Sequence, residues 1–167
     1  MTRYTHLILT LALIVTVHLG FGQTRNRPLT AQSFTGEIVI QASPTQVWKI
    51  LTDATRLTEV LGYKYLQGAK KFARVGDRAA VQVWGDDAGF MVVRAEPTKE
   101  LRFNLDPENG SYICNCRWVL SGAGKATTVK FEERYTESSP QTREELEAQV
   151  KDINENLKKL KHIVETQ

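Results

Sequence analysis

Four side chains in the second half of the chain have the types and spacing for chemistry: Cys114, Cys116, Glu133 and Tyr135. The two cysteines fall two residues apart in a stretch where Tyr112, Cys114, Cys116, Trp118 and Leu120 alternate with Asn115 and Arg117, so both sulfurs belong to one face of a strand. In an extended strand their Cα atoms lie about 6.6–6.8 Å apart, the outer limit for a disulfide. Three states are open to them, in this order: buried unpaired thiols, a strained redox-active bridge, and a soft-metal site. Met91 is the only other sulfur beyond the amino-terminal segment and no third cysteine exists, so neither a metal nor any other cofactor is expected.

Glu133 and Tyr135 are in phase with Val129 and Phe131. An inward carboxylate at Glu133 would have its pKa raised by burial and could serve as a general acid or base, with Tyr135 as a second proton-handling group. The expectation is the plainer one: the strand frays there and Glu133 reaches water beside Arg134. Its candidate partner His162 falls between lysines and the apolar stripe of a terminal helix, which suits a surface position better than a base. Gly124-Lys125 resembles the end of a phosphate loop, but Val119 occupies the required earlier glycine position and Ala126 follows the lysine, so no nucleotide loop is present.

These side chains must be positioned by one domain. The 167 residues are 41% hydrophobic and 25% charged, a globular composition. Residues 1–22 hold Arg3, an apolar run from Leu7 to Val17 and then Gly20-Phe21-Gly22, the pattern of a secretory signal peptide; the run falls short of the ~20 apolar residues of a membrane span. Its removal would leave a mature chain from Gln23, exported to the periplasm or secreted, with no stable membrane anchor and no cysteine for a lipid. Basic and acidic residues are interspersed, which excludes a nucleic-acid stripe. Residues 23–33 read as a flexible lead-in.

The alternation around Ile38 and Ile40 predicts a strand over 35–42. Ser43-Pro44-Thr45-Gln46 starts a helix by cap, N1 proline and capping box, and Asp53 can cap a second short helix. Turn residues then punctuate six strands, at 63–70, 77–84, 88–96, 99–105, 111–121 and 126–136. Beyond Pro140, Leu146, Val150, Ile153, Leu157, Leu160 and Val164 form one helical stripe, with Glu144, Glu145 and Glu147 early and Lys158, Lys159 and Lys161 late, as the helix dipole favours.

This order of elements, with the segments GEIVIQASPTQVWKILTD and LKKLKHIVET, resembles the SRPBCC superfamily, which includes START lipid-transfer domains, birch-pollen-allergen-like proteins, polyketide cyclases and the heat-shock-ATPase activator branch. The resemblance covers residues 34–166. It implies an α+β helix-grip fold, a seven-stranded curved antiparallel sheet wrapped on a long C-terminal helix, with two short helices after the first strand and an internal ligand chamber. The strand phases supply an apolar wall for such a chamber, with Phe90, Val92, Leu101 and Phe103 on two strands. Tyr112, Cys114, Cys116 and Trp118 continue it, with Val129 and Phe131 beside them. Val150, Ile153 and Leu157 of the helix face that wall; a solid interlocked core is the alternative. The expected function is therefore an exported, non-catalytic carrier of a small lipophilic molecule. A cyclase- or dehydratase-like enzyme using Glu133, and a protein-binding module like the chaperone-activator branch, are the alternatives; no protein partner is identified by the residues.

Overall fold

The computed structural model describes residues 30–110, 112–137 and 141–166. The expected signal peptide and residues 23–29 of the lead-in lie outside the described residues. The first strand, β1 (Thr30–Ile40), begins inside the stretch expected to be a flexible lead-in. Its early part pairs with the last strand, Thr30 opposite Glu137 and Phe34 opposite Glu133. Backbone pairing of this kind needs no alternation of side chains, which is why periodicity alone placed the start too late.

Ser43 and Gln46 form the expected capping box at the start of α1 (Pro44–Leu51), and the Asp53 carboxylate accepts from the Arg56 amide at 3.0 Å to cap α2 (Ala54–Leu61). Six strands follow: β2 (Lys64–Gly68), β3 (Arg78–Val83), β4 (Asp86–Glu96), β5 (Glu100–Pro107), β6 (Tyr112–Ser121) and β7 (Thr127–Glu137). They are joined antiparallel in the order β1-β7-β6-β5-β4-β3-β2. The two short helices thus carry the chain from one edge of the sheet to the other. No helix among the described residues is long and apolar enough to cross a membrane.

The long helix α3 (Arg143–Glu165) opens on a second capping box, Thr142 with Glu145. It buries Gln149, Ile153, Leu157, Leu160 and Val164. Val150, expected on the lining face, is instead 48% exposed: one turn back from Ile153 at 3.6 residues per turn falls on Gln149. The helix seats closely because β1 offers Gly36 beneath it. A Cβ there would stand 2.7 Å from Leu157 Cδ1 and 2.8 Å from Ile153 Cγ2, inside van der Waals contact. Lys161 Nζ donates to the Val39 carbonyl at 2.7 Å, and Lys159 Nζ donates to the Glu59 carbonyl, fixing the other end of the helix to β1 and α2.

Between helix and sheet the expected wall is present and packed against itself. Phe72, Phe90 and Phe103 stack in series with centroids 4.1 and 4.2 Å apart, and Trp118 stacks on Phe131 at 4.1 Å. Each such buried side chain contributes about 1.5–3 kcal/mol by leaving water. On the opposite, convex face Glu100 is ion-paired with Arg94, Arg102 and Arg117.

Candidate functional site

A cleft of about 300 Å³ opens at one end of the helix–sheet seam, bordered by Tyr63, Trp84, Glu133, Gln149, Asp152 and Asn156 with the end of α2. None of the wall residues from Phe90 to Phe131 borders it, and neither do Ile153 and Leu157; these are the packed interior. Behind the wall, stacked rings and the close approach of the helix over Gly36 pack the trough, and the cleft lies beside them.

Glu133 forms the buried floor. It is 4% exposed, so the expectation that it frays into water is overturned: β7 runs between β1 and β6, pairing Glu133 with Phe34 on one side and Cys116 on the other. A residue hydrogen-bonded on both sides is in a sheet interior, whatever its distance from the strand end.

Among the described residues, every hydrogen-bond partner of that carboxylate is uncharged. Gln149 Nε2 donates to Oε2 at 2.5 Å. Cys114 Sγ donates to Oε1 at 3.2 Å and Cys116 Sγ at 3.7 Å, with the two sulfurs 3.6 Å apart. Burial pushes the Glu133 carboxyl above its ordinary range; the thiol and amide donors pull the other way without cancelling it, and the Asp152 charge adds to the rise. Both cysteines are free and buried, as the first of the three sequence readings has it. The neighbouring Cys116 and then burial raise Cys114, while burial lifts Cys116 to about 11.

Three tyrosines surround this group. Burial raises Tyr63, Tyr112 and Tyr135, Tyr112 to about 12. The Tyr112 hydroxyl is buried without a hydrogen-bond partner among the described residues. Trp84 stands over Tyr112 and Tyr135, its ring 5.8 and 5.9 Å from theirs, and stays 60% exposed at the rim of the cleft. The strand-to-strand turn Trp84-Gly85 explains this placement: both residues have positive φ, 51° and 96°, as primed two-residue hairpins require. A bulky side chain in that region is unusual and strained. His162 is exposed on α3 and stands outside the cleft, as expected.

Sequence reasoning found Cys114, Cys116, Glu133 and Tyr135 and missed Tyr63, Trp84, Gln149 and Asp152. Gln149 left a signal, a polar residue four before Ile153 on the buried stripe. Trp84 left another, a large ring directly before a turn glycine.

The site therefore consists of one buried carboxylate touching solvent-accessible space, two thiols, an orienting amide and an aromatic rim. It can hold a small molecule, exchange a proton with it, or offer sulfur and oxygen donors together.

No protein-family model and no curated protein matches the sequence. Among solved structures, protein MLL2253 from Mesorhizobium loti is similar with TM-score 0.64 at 19% identity, over 81% of this chain and 98% of that one. DynU16, a putative protein in the dynemicin biosynthetic locus, gives 0.61 at 20% identity, over 80% of this chain and 47% of that one. Ara h 8.0201 gives 0.62 at 12% identity, over 83% and 100%. At these identities the likeness is one of fold. The curved seven-stranded sheet gripping a C-terminal helix, with two short helices after its first strand, is a helix-grip fold.

Proposed function

We propose that the protein is an exported binding protein for a small amphipathic molecule, seated in the cleft with one polar group on Glu133 and its apolar edge against Tyr63 and Trp84. The observation that carries this reading is a buried carboxylate, oriented by Gln149, that forms the floor of an open cleft. Ligand sites are concave, with a few convergent polar groups on an otherwise apolar lining, and span roughly 300–1,000 Å³. This one lies at the small end, which suits a compact molecule in place of the larger lipophile that an open chamber would take. Export rests on the amino-terminal pattern from Arg3 to Gly22.

Trp84 is the natural reporter, since Trp118 is stacked inside the core. Titrating the mature protein with a panel of small phenols and naphthols is expected to quench Trp84 fluorescence saturably, and Trp84→Phe to abolish the change. Absence of a saturable response across the panel, together with no guest in solvent extracts of gently purified protein, overturns the reading.

The position of Glu133 also supports a second reading, an acid–base enzyme in which that carboxyl passes a proton to the bound molecule. Turnover separates the two: a carrier converts none of the panel and loses affinity in Glu133→Gln, whereas an enzyme converts its ligand and Glu133→Gln abolishes that conversion.

A further inference from the structure

Three ligand-type atoms converge on one point beneath the cleft. Cys114 Sγ, Cys116 Sγ and Glu133 Oε1 all lie within 4.8 Å of one another, at 3.6, 3.2 and 3.7 Å. A tetrahedral zinc ion with Zn–S near 2.3 Å and Zn–O near 2.0–2.2 Å requires S···S edges of about 3.8 Å and S···O edges of about 3.5–3.7 Å. The S···S edge and the Cys116–Glu133 edge agree within about 0.2 Å and the Cys114–Glu133 edge is shorter by about 0.3–0.5 Å, so small side-chain adjustments complete three corners of such a tetrahedron.

We propose that Cys114, Cys116 and Glu133 form a binding site for a thiophilic divalent cation of the zinc class, with its fourth position left to an exchangeable ligand.

The backbone accounts for the placement. Alternation along β6 puts both sulfurs on the concave face, and the β6–β7 register sets Cys116 directly opposite Glu133. Gln149 holds Oε2 from the helix side and leaves Oε1 to the sulfurs, the outer-shell hydrogen bond that ligating carboxylates use. Glu133 is the member of the three that borders the cleft, so the cleft is the path for the ion and for a fourth ligand. Two protein sulfurs and one oxygen leaving one position open is the coordination number of exchangeable zinc sites, whereas structural sites are closed by four protein ligands.

The arrangement argues against the alternatives for the thiols. At 3.6 Å the sulfurs are in van der Waals contact as free thiols, and their place two residues apart on one extended strand sets their Cα atoms at the outer limit for a disulfide. Among the described residues, the one lysine bordering the cleft, Lys159, donates to a backbone carbonyl, and no basic side chain is hydrogen-bonded to Glu133. A cation would supply the positive charge that this buried carboxylate lacks. On binding, each thiol would give up its proton to solvent and coordinate as thiolate, with no change in oxidation state. The site is built entirely from this chain's side chains and holds whether or not a small organic molecule binds above it.

The test uses the mature protein, reduced and stripped with a chelator, titrated with Cd²⁺ and then with Zn²⁺ and no organic ligand. A cadmium–thiolate charge-transfer band saturating at one equivalent, displaced by Zn²⁺, is expected, with a rise in Tm. Cys116→Ala should weaken Cd²⁺ binding by 100-fold or more, and Glu133→Gln and Gln149→Leu by roughly 10–100-fold. Circular dichroism checks each variant's fold, and the wild-type titration decides the matter if Cys116→Ala does not fold. A folded, reduced wild-type protein showing neither band nor Tm shift overturns the proposal. So does a Cd²⁺ affinity unchanged in Glu133→Gln.

Discussion

The two faces of the sheet each bury a glutamate, and the two behave in opposite ways. Glu100 on the convex face is 7% exposed and Glu133 on the concave face 4%. For both, burial alone raises the carboxyl. At Glu100 hydrogen bonds and charge from Arg117 and Arg102 outweigh burial and hold it below the usual carboxylate range. At Glu133 the donors are two thiols and an amide, and burial wins. Burial therefore does not decide the protonation of a carboxyl; the charge of its donors does. The convex glutamate is a structural clamp, and the concave one is left in a state that a proton, a ligand or a cation can change.

The largest expected effect comes from breaking the clamp. Arg102 and Arg117 face each other across β5 and β6, and Glu100 bridges them. Glu100→Ala leaves two cations opposed and should cost about 1–3 kcal/mol, the lower part of the range for a broken pair because the arginines are partly solvated. Urea unfolding at neutral pH measures it; a loss under about 0.5 kcal/mol, the size of an ordinary surface change, would remove the distinction between the faces.

Acid unfolding sharpens the comparison. A carboxyl whose folded pKa is lowered from 4.5 contributes stability above that value and loses it as the pH falls through the folded pKa. Glu100→Gln should accordingly flatten the decline of stability below pH 4.5. An unchanged acid limb would show that the arginines do not hold the charge.

The smallest effect belongs to the concave side. In chelator-stripped protein Glu133→Gln retains a carbonyl for Gln149 and removes a carboxyl that burial disfavours, so stability should stay within about 1 kcal/mol of wild type. A loss larger than that of Glu100→Gln would reverse the ranking of the two sites.

Much of the fold was legible in local chemistry. The capping boxes at Ser43 and Thr142, the hairpin turns and the alternation of β6 all depend on neighbours in sequence. The concave orientation of Cys114 and Cys116 was legible for the same reason. What failed depended on partners far along the chain. Glu133 looked frayed because its shelter comes from β1 and Gln149, and Val150 looked buried because a four-three spacing fits two neighbouring faces of a helix. The size of the interior space was not legible at all: it is set by how stacked rings such as Phe90 and Phe103 meet a helix lowered onto Gly36.

The hairpin tip places stability and recognition in opposition. Trp84→Asn would create Asn-Gly, the pair that accepts a left-handed two-residue turn most readily, and so would relax the backbone. The same exchange would strip the cleft of its aromatic rim. Selection for a sturdier hairpin and selection for what the hairpin overhangs thus favour different residues at one position, and this chain carries the one that sacrifices ease of turning for reach.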